Sequence, residues 1–253
     1  MALQDRIFNY CERGQDPSLW AEPLNATSNL AFIVAAMMAL AILLNQPRAA
    51  RSSDHYLLVA LIFAIGIGSF LFHIYANRWS VLADVLPITI FILVYLAFSL
   101  NRFLGVPVGW SVVITIAYAG LGQAASSLKC QAGLAGAFLG LGAKSGQTCL
   151  NGSIGYVPVL FLLIIVGGLL AIRRHPASKH LLLAACVLAV SLTFRTIDQA
   201  VCTQTIIAGT KIGTHFVWHF LNSVTLFLLL KAAIEHNRPA SAHDVYAPMP
   251  DKK

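Results

Sequence analysis

Charge is scarce in this chain. Only 11% of its 253 residues are Asp, Glu, Lys or Arg, against about 25% in a typical soluble domain. Also missing are a polar stretch long enough for a second domain, a long low-complexity tract and an internal repeat. No apolar segment of the signal-peptide kind precedes Leu30, so the first spanning helix is expected to direct insertion as well. The shortage of charge argues against a soluble globule. The formal charge of +7 does not point to nucleic acid, because the basic residues sit in short loops between apolar runs, where they act as topology signals. Without a repeat or a pair of interrupted helices, a transporter is disfavoured too.

What the chain has instead is apolar sequence. It is 58% hydrophobic, with a mean hydropathy of +0.74. Seven runs have about the 20 residues a helix needs to cross the hydrocarbon core: about 22–44, 56–75, 81–100, 107–126, 155–172, 180–200 and 214–233. The expectation is an all-α bundle of seven transmembrane helices, one domain over residues 1–236, with a disordered tail at 237–253. GLAGAFLGLG at 133–142 is too short and glycine-rich to span, and is expected to be interfacial or re-entrant.

Seven spans put the N-terminus and the second, fourth and sixth loops on one face. Arg6, Arg13, Arg78, Lys129, Lys144, Arg195 and Lys211 lie there or at its edge. Arg48, Arg51, Arg102, Arg173, Arg174, Lys179, Lys231, Arg238, Lys252 and Lys253 lie opposite. The bias favours the N-terminus outside and the C-terminus in the cytoplasm. The short N-terminus and compact loops suggest a bacterial inner membrane. Cys11, Cys130, Cys149 and Cys202 fall on the outer face and Cys186 falls mid-membrane. Three pairings are open to those four, and Cys11–Cys202 with Cys130–Cys149 is favoured.

The eight histidines sort by side. His55, His175, His180, His236 and His243 fall in inner loops or the tail, where a solvated imidazole needs no partner. His73, His215 and His219 lie inside apolar helices at the outer edge. His215 and His219 are four apart, on one helical face, and His73 can share their layer. Ser69, one turn before His73, and Asp84, just after the next turn, complete a polar cluster. Ionisable residues within spans are functional candidates by default, and three neutral imidazoles are the donor set of catalytic zinc. A proton relay or a structural polar cluster is the plainer reading.

The sequence resembles the alkaline ceramidases and their bacterial relatives, within the heptahelical membrane hydrolases that include the adiponectin receptors. The resemblance rests on GIGSFLFH (Ser69, His73), ADVLP (Asp84), HFVWH (His215, Trp218, His219), NYCERG with AEPLNATSN, and RTIDQAVC. It implies a seven-helix fold, zinc on His73, His215 and His219, and catalytic roles for Ser69 and Asp84. It further implies calcium held by Asn9, Tyr10 (backbone), Glu12, Gly14 (backbone) and Glu22, and supports the Cys11–Cys202 disulfide. Asn9 and Val85 depart from the family's aspartate and glutamate at those positions. The implied activity is hydrolysis of a ceramide-like membrane lipid at its amide bond. The alternatives are hydrolysis of another lipid amide or ester at the same site, or a non-enzymatic lipid receptor with structural zinc.

Overall fold

A computed structural model describes residues 3–129 and 148–236. Among the described residues, seven helices are long and apolar enough to cross a membrane: α1 (Pro23–Asn45), α2 (Ser53–Tyr75), α3 (Arg78–Phe103), α4 (Val108–Ser126), α5 (Cys149–Ile172), α6 (Ala177–Ile197) and α7 (His215–Glu235). The protein is an all-α seven-helix bundle of the multi-pass membrane type. Helices satisfy their own backbone groups, which lipid cannot do. Among the described residues the one sheet is a hairpin, β1 (Ile206–Ile207) against β2 (Thr210–Lys211), in the α6–α7 loop. The glycine-rich segment at 133–142, Cys130 and the tail at 237–253 lie outside the described residues.

The helices are unequally buried. α2 and α7 are 61% buried over their most apolar windows, and α4 only 6%. The first two therefore form the centre of the bundle, while α4 lies at its edge with Trp110, Val113 and Ile116 exposed. Exposed apolar residues on spans, such as Leu86, Ile165 and Ile172, suit a lipid-facing surface. The core between helices is aliphatic and aromatic, with Phe32, Leu58, Ile62, Phe91, Leu181 and Leu230 almost wholly buried.

Caps account for where the helices depart from the expected ranges. α2 starts at Ser53 because Ser52 and His55 form a reciprocal capping box. His55 is thus not a solvated loop histidine. It is fully buried, with Nε2 3.1 Å from the Ala233 carbonyl. His175 is buried as well. His175 lies in its loop as expected but is not solvated, whereas His55 falls within α2, because the apolar pattern starts a helix at its first hydrophobic residue and ignores the polar capping turn. At its other end, α2 closes on Ala76 in the left-handed conformation (φ 44°). Asn77 then caps α3, its side chain accepting from the Ser80 N–H. This tight turn fixes α2 against α3. Gly68 makes the approach possible, since a Cβ there would lie 1.9 Å from the Ala83 carbonyl oxygen.

Candidate metal centre

Four segments bring the polar residues together. α2 carries Ser69 and His73, α3 carries Asp84, α7 carries His215 and His219, and the N-terminal segment lies across their ends. That segment is tied down by the Ile7 N–H bonded to the Ala76 carbonyl (2.8 Å) and by a disulfide joining Cys11 to Cys202. The Cys130–Cys149 pairing involves Cys130, outside the described residues. Cys186 is a free, exposed thiol.

The start of α7 is set from outside the helix. Thr214 gives no side-chain cap. Instead the buried Asp198 carboxylate accepts from the backbone N–H groups of Thr214 (2.7 Å), His215 (3.0 Å) and Cys11 (2.9 Å). Burial pushes the Asp198 carboxyl up, and those three hydrogen bonds counter it in part. Gly213 (φ +64°) is required here, because a Cβ would fall 2.2 Å from an Asp198 oxygen. α6 ends at Ile197 instead of near residue 200, with Asp198 at its C-cap still in right-handed helical conformation. One carboxylate therefore joins the N-terminal segment, the end of α6 and the first histidine of α7.

His73, His215 and His219 are each buried, and their ligand-type nitrogens all lie within 4.8 Å of one another. Nε2 of His73 is 3.2 Å from Nε2 of His219. The opposite nitrogens of these two rings are held by the protein. Nδ1 of His73 lies 2.5 Å from Glu22 Oε2, and Nδ1 of His219 lies 2.7 Å from the Ser28 hydroxyl. A ring whose far nitrogen is bound has its tautomer and orientation chosen, the usual second shell of a metal-bound histidine. His215 stacks on the Tyr10 ring at 3.8 Å, and its buried Nδ1 has no protein hydrogen-bond partner. Three converging imidazoles, two with fixed far nitrogens and one with an unsatisfied buried nitrogen, fit a zinc ion.

Ser69 and Asp84 lie beside this trio. Both line a cavity together with His215, His219, Trp218 and Arg195. Arg195 is held by the Asn151 carbonyl (2.9 Å) and the Ser153 hydroxyl (3.1 Å), with Tyr156 and Trp218 rings 5.4 and 5.7 Å away. The arrangement gathers a carboxylate, a hydroxyl, two imidazoles and one cation around a shared space, with His73 against His219 beside it.

Both carboxylates implied for calcium are already engaged by donors of the protein itself. Both Glu12 oxygens accept from the N–H groups of Leu24 and Asn25 (2.7 and 2.8 Å), capping the start of α1. Both Glu22 oxygens are engaged too, one by Arg13 Nε (2.5 Å), the other by His73 and by Asn25 Nδ2 (3.1 Å). Burial alone would raise the Glu22 carboxyl, but His73, Arg13 and Asn25 outweigh it and hold it below the ordinary range. The Tyr10 carbonyl accepts from the Gly14 N–H (3.1 Å), and Asn9 is exposed. A calcium site needs 6–8 oxygen ligands, so this donor set does not fit calcium.

Ser28, Arg13 and Arg195 were not singled out from the sequence as site residues. Ser28 gives no sequence signal, since a serine in an apolar helix has many uses. Arg195 and Asp198 sit in RTIDQAVC, where two opposite charges at the end of a span are the available hint.

A family model described as Ceramidase matches residues 6–244. A comparison with curated proteins finds no match. The match covers nearly the whole chain, including every residue of the polar cluster, and the chain belongs to the ceramidase family.

Proposed function

We propose that the protein is a zinc-dependent hydrolase that cleaves the amide bond of a ceramide-like lipid, giving a free fatty acid and a long-chain amine. The observation that carries this reading is the convergence of His73, His215 and His219 at a cavity that Ser69 and Asp84 line. The three histidines would hold the ion. When bound there, zinc supplies Lewis acidity that polarises an acyl carbonyl and acidifies water. Asp84 accepts the proton of the water that attacks the acyl carbon, and returns it to the leaving nitrogen as the C–N bond breaks. The Ser69 hydroxyl donates a hydrogen bond to the acyl oxygen as charge develops on it, a contribution of about 3–4 kcal/mol for one well-placed donor. Ser69 does not act as a nucleophile in this scheme, because the nearby imidazoles serve as ligands and leave none as its base. The cavity lies at the end of the bundle that carries the N-terminus, which the bias of basic loops places outside.

The test is product release. Purified protein is incubated with labelled ceramides, other N-acyl lipids and phospholipids, with and without a zinc chelator. Free fatty acid from the ceramide arm, lost on chelation and restored by zinc, supports the assignment. Release from the phospholipid arm alone would make it an ester hydrolase. No release from any substrate, with stoichiometric zinc bound, would make it a receptor.

A further inference from the structure

Arg13 is an odd residue to find inside this protein. Its side chain is fully buried, although lysine and arginine are almost never buried without partners. The guanidinium is surrounded by oxygens. Nε donates to Glu22 (2.5 Å), Nη1 to the carbonyls of Ser18 (2.7 Å) and Asp16 (3.2 Å), and Nη2 to the carbonyls of His73 (2.7 Å) and Ile74 (3.3 Å). Arginine has five N–H donors in a planar fork and keeps its charge at any working pH. One carboxylate and four carbonyls around one cation resemble a hard-metal cage with a guanidinium at its centre.

From this we infer that Arg13 is the built-in cation of the N-terminal segment, doing there what a calcium ion would do, and that the protein binds zinc without calcium. The inference rests on the zinc reading above. Arg13 joins three parts of the molecule: the loop through Asp16 and Ser18, the end of α2 through the His73 and Ile74 carbonyls, and Glu22. Glu22 in turn holds Nδ1 of His73. Arg13 is thus a positioning residue, acting on a ligand through Glu22 and through that ligand's own backbone. The nearby carboxylates are consistent with this assignment. Glu22 is balanced by Arg13, and both Glu12 oxygens are engaged by the N-terminus of α1.

Two measurements test this on the full chain in detergent, stripped of divalent ions and reloaded with zinc alone. In the first, calcium is titrated in while the melting temperature and bound 45Ca are followed. No retained calcium and no thermal shift are expected up to millimolar concentrations. Stoichiometric calcium binding, or a saturable rise in melting temperature, would overturn the inference. This arm needs no turnover, so its result stands even if the hydrolase reading fails. In the second, zinc affinity is measured for Arg13→Gln and Arg13→Lys. A loss of about 10–100-fold is expected for Arg13→Gln, the usual cost of removing an outer-shell partner, with partial recovery in Arg13→Lys. A variant that melts lower but binds zinc as tightly as the parent would reduce Arg13 to a structural role. If Arg13→Gln does not fold, Arg13→Lys and the calcium arm still decide.

Discussion

Among the described residues, two trios of potential metal ligands lie at opposite ends of the bundle, and they differ in what surrounds them. His73, His215 and His219 at one end are buried, and two of the three are fixed by a second partner. His180, Glu235 and His236 at the other end also bring ligand-type atoms within 4.8 Å, but Glu235 is exposed and both histidines are partly so. There the nearest carboxylate contact, His236 to Glu235, is 4.0 Å, too long for a hydrogen bond. Burial lowers the His236 imidazole, with His180 adding to it. Proximity of ligand atoms is common to both trios; burial and held far nitrogens are not. A held far nitrogen and a dry surround separate a site from a chance cluster.

The sharpest test of that contrast is His219→Ala, which should abolish stoichiometric zinc in metal analysis, whereas His180→Ala should leave one zinc per chain. Asp84→Asn should keep the zinc and lose about 10²–10⁴-fold in turnover, the usual range for a general base. Full activity in that variant would remove Asp84 from the mechanism. Gly68→Ala should cost about 10²-fold in turnover, because the added methyl forces α3 and its Asp84 away from Ser69, and misplacements of about 1 Å have effects of that size. Glu22→Gln should weaken zinc by about 10–100-fold, measured by competition with a chromogenic chelator. The smallest effect expected is none. His236→Ala should change neither zinc content nor turnover, and a fall in either would erase the distinction between the two ends.

The spans and the polar cluster were legible for different reasons. Seven apolar runs announce seven helices because lipid imposes a length and forbids charge. His73, His215 and His219 stood out for the same reason, as costly residues inside those runs. His55 and His175 did not, because burial at a capped helix end leaves no trace in hydropathy. Glu22 was legible as an acid near the site but was given a different task. Its bonds to Arg13 and His73 span 9 and 51 residues of sequence, and no local pattern encodes a pairing of that kind. Asp198 likewise reaches Cys11 across 187 residues.

By itself, then, the sequence determined the number of helices, the membrane setting and which polar residues had to be explained, since each follows from composition and period along one strand of chain. The tertiary structure decided what those residues are bonded to. It set the Nδ1 partners of His73 and His219, the capping of α7 by Asp198 and the capture of the N-terminal acids by Arg13 and a helix end. Such choices depend on which segments meet, and they are made by packing between helices far apart in the chain.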